Sequence, residues 1–226
     1  MSFLDSSNIR LDSVGWGFVV VVGLLLPIAA ARFSRRSQTT DAPQKITKRL
    51  RTVVVLVVLA CVALFAAYRD GIDLFPHFTW TASVIAVSAA ILAGVTALAE
   101  ALLMVRSSGE RRKLWVRQVI PRNSAERAVW VVSSITAGAT EEIIFRGVLF
   151  ALLSTITGSI TAGALVSAIV FALAHFRQGW KSMGFIAAIA LLFQLLVIYS
   201  GSLVPAMIVH GVYNIFRGWR ASAALS

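Results

Sequence analysis

The chain has 226 residues, 58% of them hydrophobic and 14% charged, a balance outside that of a water-soluble globular domain and suited to a lipid bilayer. Its formal net charge of +11 is spread over short loops between apolar runs, with no aromatic-interleaved basic domain, which argues against a nucleic-acid partner. One cysteine, Cys61, excludes an intrachain disulfide and a cysteine-cluster metal site, and it is expected to be a buried small apolar residue.

Apolar segments fall at about 14–31, 53–68, 80–105, 129–156, 158–175, 183–200 and 203–217. Crossing about 30 Å of hydrocarbon takes roughly 20 residues at about 1.5 Å each, and backbone in lipid must satisfy its own hydrogen bonds, so each segment is predicted to be a helix. The expected fold is all-α: a polytopic transmembrane bundle of about seven spans, within a range of six to eight. The first segment is a retained span rather than a signal peptide, because Asp5, Arg10 and Asp12 precede it and the basic residues follow it.

Positively charged short loops stay on the cytoplasmic side. Loop 32–52 carries Arg32, Arg35, Arg36, Lys45, Lys48, Arg49 and Arg51, and loop 106–128 carries Arg106, Arg111, Arg112, Lys113, Arg117, Arg122 and Arg127. With Arg177, Lys181, Arg217 and Arg220, these place 18 of the 21 Lys and Arg residues on one side. Arg10 and Arg69 fall outside, and Arg146 lies within a span. The N-terminus is therefore expected outside and the C-terminus in the cytoplasm. Trp16, Trp80, Trp115, Trp130 and Trp180 near segment ends suit interfacial anchoring, and Ser34 to Gln44 reads as a flexible loop.

Ionisable groups inside membrane spans are costly and mark function. The fourth segment contains Glu141-Glu142-Ile143-Ile144-Phe145-Arg146, the fifth ends Phe171-Ala172-Leu173-Ala174-His175, and the seventh contains His210-Gly211-Val212-Tyr213-Asn214. Residues four apart share a helix face, so Glu142 pairs with Arg146, His210 and Asn214 point together, and Phe171 lies one turn from His175. Glu141, rotated about 100° from Glu142, is left for other work. A carboxylate, a histidine and a His/Asn pair are the parts of water-mediated amide hydrolysis: base, partner on the water, and oxyanion donors. Tyr213 and Thr140 line up near the set without a specific role, and His77 reads as a solvated loop residue.

The set Glu141-Glu142-x-x-x-Arg146, Phe171-x-x-x-His175 and His210-x-x-x-Asn214 resembles the CAAX protease and bacteriocin-processing (CPBP, or Abi) family of membrane endopeptidases, relatives of the type II CAAX prenyl endopeptidases. The resemblance covers about 124–217. It divides the chain into a three-span region over 1–123, a catalytic helical core over 124–217 and a cytoplasmic tail over 218–226. It implies an endopeptidase in a cell membrane, bacterial in the bacteriocin-processing branch, acting on a membrane-associated peptide or protein. It also implies Glu141 as general base with His175 on the water, His210 and Asn214 as the oxyanion site, and Glu142, Arg146 and Phe171 in support.

No cofactor is expected. A zinc-dependent route is the alternative, with Glu141, His175 and His210 as ligands, although the chain lacks a His-Glu-x-x-His helix. A non-catalytic immunity or transport role is the other rival. Depth constrains the site: a span starting at Val129 would bury Glu141 about 18 Å in. A break at Gly138 and Thr140 is therefore expected, making 124–136 a separate interfacial helix and leaving a shallow cavity open to the cytoplasm, with His210 one turn deeper than Asn214.

Overall fold

The computed structural model describes residues 9–33, 42–105, 121 and 123–223. Every regular element among them is helical. The first helix runs as α1 (Ser13–Val20), a π segment (Val21–Leu25) and α2 (Leu26–Phe33); then follow α3 (Ala42–Asp70) and α4 (Ala82–Val105). A second compound helix is built from α5 (Ser124–Glu141), a π segment (Glu142–Leu149) and α6 (Phe150–Thr157). The chain continues through α7 (Ile160–Ala174), a 3-10 turn (Phe176–Gln178), α8 (Trp180–Ser200) and α9 (Val204–Ala223).

The helices start and stop where local chemistry dictates. Asp12, Asn123 and Ser159 cap α1, α5 and α7 by accepting backbone N–H bonds from the first turn. Gly158 and Gly201, in the left-handed region at φ 64° and 66°, close α6 and α8.

Among the described residues, four helices are long and apolar enough to cross a membrane: Ser13–Arg32, Ile46–Asp70, Ala82–Ala101 and Ser182–Ser200. Ile160–Ala174 is a shorter apolar helix. The compound helix with Glu141, Glu142 and Arg146 and the helix with His210 and Asn214 are not among them.

Burial follows the logic of a bilayer rather than that of water. On α3, Ala60, Ala63, Ala66 and Ala67 are buried, while Val54, Val58, Val62 and Phe65 are exposed. Small residues let α3 approach α5 and α1 closely, and the large apolar ones are left for lipid. Glu142, Arg146, Gln194 and His210 lie inside. The chain is thus an apolar-surfaced helix bundle with a few polar residues inside an apolar core, the build of an integral membrane protein.

Four expectations change. First, α3 begins at Ala42, so Lys45, Lys48, Arg49 and Arg51 lie on a helix rather than in a loop. Lys and Arg are good helix formers, and Pro43 in the first turn removes a donor that has no partner there anyway. The rest of the expected loop, 34–41, lies outside the described residues, as do 106–120, Arg122 and Trp115. Second, Cys61 is exposed on α3, facing the side where lipid would be.

Third, the break before the glutamates is absent: Ser124–Glu141 runs straight into the π segment. Gly138 serves contact instead, since a Cβ there would sit 2.7 Å from the Gly211 backbone N and 3.0 Å from the Met207 carbonyl. Thr140 Oγ1 donates to Thr136 O at 2.7 Å within the helix. The extra length of α5 is matched by α9, which runs on to Ala223 beside it. Fourth, Trp130 is not a lipid anchor. Its indole is half-buried and its Nε1 donates to the Asn214 carbonyl at 3.0 Å. Trp16, Trp80 and Trp180 are exposed.

Candidate active site

The close approach of α5 and α9 at Gly138 sets the distance across which the polar residues meet. Just beyond that contact the compound helix switches to π geometry over Glu142–Leu149. Such i→i+5 segments widen a helix and free a carbonyl, and they recur at functional sites. Here Ser167 of α7 donates its hydroxyl to the Phe145 carbonyl at 2.6 Å. Sequence patterning gave no signal for Ser167.

The centre is the Glu142 carboxylate, wholly buried. Its Oε1 receives the Arg146 guanidinium at 3.3 Å and His210 Nδ1 at 2.7 Å. The Arg146 contact is an ion pair without hydrogen-bond alignment, and its Nη1 and Nη2 find no aligned acceptor among the described residues. Its charge rests on aromatic faces instead: the guanidinium carbon lies 4.1 Å from the Phe171 ring centroid and 5.8 Å from that of Phe193. Phe193 also flanks His210 at 5.4 Å between centroids. Nothing in the sequence distinguished Phe193 from other membrane phenylalanines.

Glu141 points elsewhere. Its side chain is 13% exposed against 0% for Glu142, and its Oε2 lies 3.7 Å from His210 Nε2. That gap exceeds a direct hydrogen bond, and one water at about 2.8 Å from each atom would bridge it. Because a carboxylate only accepts, His210 Nδ1 carries a proton toward Glu142; Nε2 is then a lone pair in the neutral ring and a donor only in imidazolium.

His175 ends α7 at φ −95°, ψ 18°, the sparsely populated bridge region. Its Nδ1 meets the Phe171 carbonyl at 2.8 Å, so Nδ1 is the donor and Nε2 carries the lone pair of the neutral ring. Phe171 stacks against it at 4.6 Å between centroids and against Phe145 at 4.9 Å. His175 thus meets the cluster through the Phe171 ring, which also receives the Arg146 guanidinium. Asn214 lies one turn beyond His210 on α9, and its side chain has no hydrogen-bond partner among the described residues. The structure therefore gathers Glu141, Glu142, Arg146 and His210 directly, places His175 against Phe171, and keeps Asn214 on the His210 helix.

Residues 123–216 match the family model described as Rce1-like, type II CAAX prenyl endopeptidase. The match spans 94 of the chain's 226 residues. It starts at Asn123, the cap of α5, and encloses every residue of the cluster. No curated protein and no solved structure matched the chain. The match supports a membrane protease of the CAAX type in general outline.

Among the described residues no three His, Cys, Asp or Glu side chains converge as ligands. Glu141 approaches His210, and the Nδ1 atoms of His210 and His175 are engaged by Glu142 and the Phe171 carbonyl, leaving Nε2 as the free nitrogen of each ring.

Proposed function

We propose that the chain is an intramembrane endopeptidase that cleaves a peptide bond of a membrane-associated substrate with water activated by Glu141. The observation that carries this reading is the division of labour in the glutamate pair. Glu142 is sealed off and held by Arg146 and His210, whereas Glu141 keeps solvent access opposite a histidine nitrogen.

In this reading Glu141 takes a proton from water, with His175 Nε2 as a second acceptor on it, and the oxygen attacks the scissile carbonyl carbon. The tetrahedral oxyanion is held by the Asn214 side-chain amide and by His210 Nε2–H, the donor that imidazolium provides. The proton held by Glu141 then goes to the leaving amine as the C–N bond breaks. Two carboxylates, Arg146 and an imidazolium would leave the interior charge balanced, as buried ionic groups require. The basic loops 32–52 and 106–128 would face the cytoplasm, with the N-terminus outside and about seven spans in all.

The test is cleavage of an internally quenched, farnesylated CAAX peptide by the purified full-length chain. Glu141→Ala is expected to slow cleavage by about a thousandfold, and Asn214→Ala by about a hundredfold, with folding retained. Wild-type turnover by Glu141→Ala, or a cellular phenotype that survives it, would overturn the protease reading. Cleavage is expected to survive chelation; loss on chelation that zinc restores would assign Glu141, His175 and His210 as ligands instead.

A further inference from the structure

Trp130 does more than fill space between α5 and α9. Its indole N–H donates to the Asn214 backbone carbonyl at 3.0 Å. The Arg49 guanidinium of α3 lies 4.2 Å from the centroid of its ring, and Arg49 in turn feels the charge of buried Glu126, one turn before Trp130 on α5. On the α9 side the ring occupies the space where a Cβ on Gly218 would stand, so Gly218 is the notch that admits it. The atoms in the notch, Cδ1, Nε1 and Cε2, are the pyrrole edge of the indole, which also carries the donor; a phenylalanine has neither.

The consequence is geometric. α5 carries both Trp130 and, three turns on, Glu141, the base in the reading above; α9 carries His210 and Asn214. The contacts of His210 with Glu141 and Glu142 tie the helices at one level, and the indole ties them again at Asn214. One tie leaves α9 free to pivot, whereas two fix its spacing and rotation. We infer that Trp130 is a positioning residue for Asn214, holding it at a set distance from Glu141 by tying α9 to α5, with Arg49 as its buttress. This rests on the reading of Asn214 as an oxyanion donor. Arg49 and Gly218 lie outside the 123–216 match, so part of the site's support comes from beyond the family segment.

The test is a double-mutant cycle on the full-length chain with the farnesylated quenched peptide. Trp130→Phe keeps an aromatic ring and removes the donor together with the pyrrole edge that sits in the Gly218 notch. It is expected to lower kcat by about tenfold or more, since a misplacement of about 1 Å can cost a hundredfold, and to leave KM within about twofold. In an Asn214→Ala background the same change is expected to do nothing further, an outcome that a general loss of packing would not give. Full additivity of the two substitutions overturns the inference. If Trp130→Phe fails to fold, Gly218→Ala, which displaces the ring, enters the same cycle with the same expected non-additivity. Wild-type cleavage by Glu141→Ala would remove the catalytic reading itself. Impaired Glu141→Ala and Asn214→Ala beside an unimpaired Trp130→Phe would remove only the role of the indole.

Discussion

Two arginine–carboxylate pairs in this molecule are built in opposite ways. Arg69 and Asp12 join α3 to the start of α1 at 2.9 Å, with side chains 51% and 27% exposed. Arg146 and Glu142 lie within one helix at 3.3 Å, with side chains 2% and 0% exposed. The first pair closes a helix end: Asp12 also accepts from Val14 and Gly15 N–H, while the buried Asp70 beside it accepts from the Asp12 N–H at 2.9 Å. The second bears the full penalty of desolvation, and a bundle needing only stability would do as well with apolar residues there. A charge pair at the rim reports on folding; one in the interior reports on function.

The largest effect that sharpens this contrast is expected from Arg146→Leu. It strands a buried carboxylate and should destabilise the protein by about 3–5 kcal/mol, whereas Arg69→Leu should cost no more than about 1 kcal/mol. Thermal unfolding in detergent compares the two, and equal losses would break the distinction.

Glycines give the next contrast. Gly138→Ala would push a methyl into backbone atoms of α9, which cannot yield, at a cost of about 1–3 kcal/mol and with reduced cleavage as Glu141 and His210 part. Gly94→Ala on α4, with nothing within 4 Å, should be neutral or stabilising by up to about 1 kcal/mol. The same melting series checks both.

The smallest effect lies at Asp12. Partial desolvation pulls its carboxyl up, but the Gly15 and Val14 N–H groups and the Arg69 guanidinium outweigh it and hold the group below its ordinary value of 3.8. A depressed folded value means that the stabilisation is fully present above the unfolded value and is lost as pH falls through the folded one. Asp12→Ala should therefore lower Tm slightly at neutral pH, with a gap from wild type that closes only in strong acid. A gap independent of pH would show that the cap acts without its charge.

Much of the molecule was legible as a string because lipid and backbone hydrogen bonding leave few options. The apolar runs became helices, and the four-residue spacing from Glu142 to Arg146 became an ion pair. Other readings failed where a residue serves two purposes. Gly138 reads as a helix breaker, and in the fold it is a contact point, since a glycine's lack of a side chain permits both. Cys61 in an apolar run reads as core, yet in a bilayer protein the apolar face turns outward. Trp130 near a segment end reads as an anchor, and only the neighbouring helix reveals its partner.

The sequence by itself determined that the chain is helical, that it belongs in a membrane, and which few polar residues its apolar segments carry, because hydropathy and helical period are properties of the chain alone. The tertiary structure decided which of those residues meet. It set His210 rather than His175 against the glutamates, chose Glu142 for burial and Glu141 for access, and turned the helix to π geometry between them. Those outcomes depend on the rotation and spacing of helices far apart in sequence, which are set by the packing of Gly138 on Gly211 and of Trp130 on α9, and no local pattern encodes them.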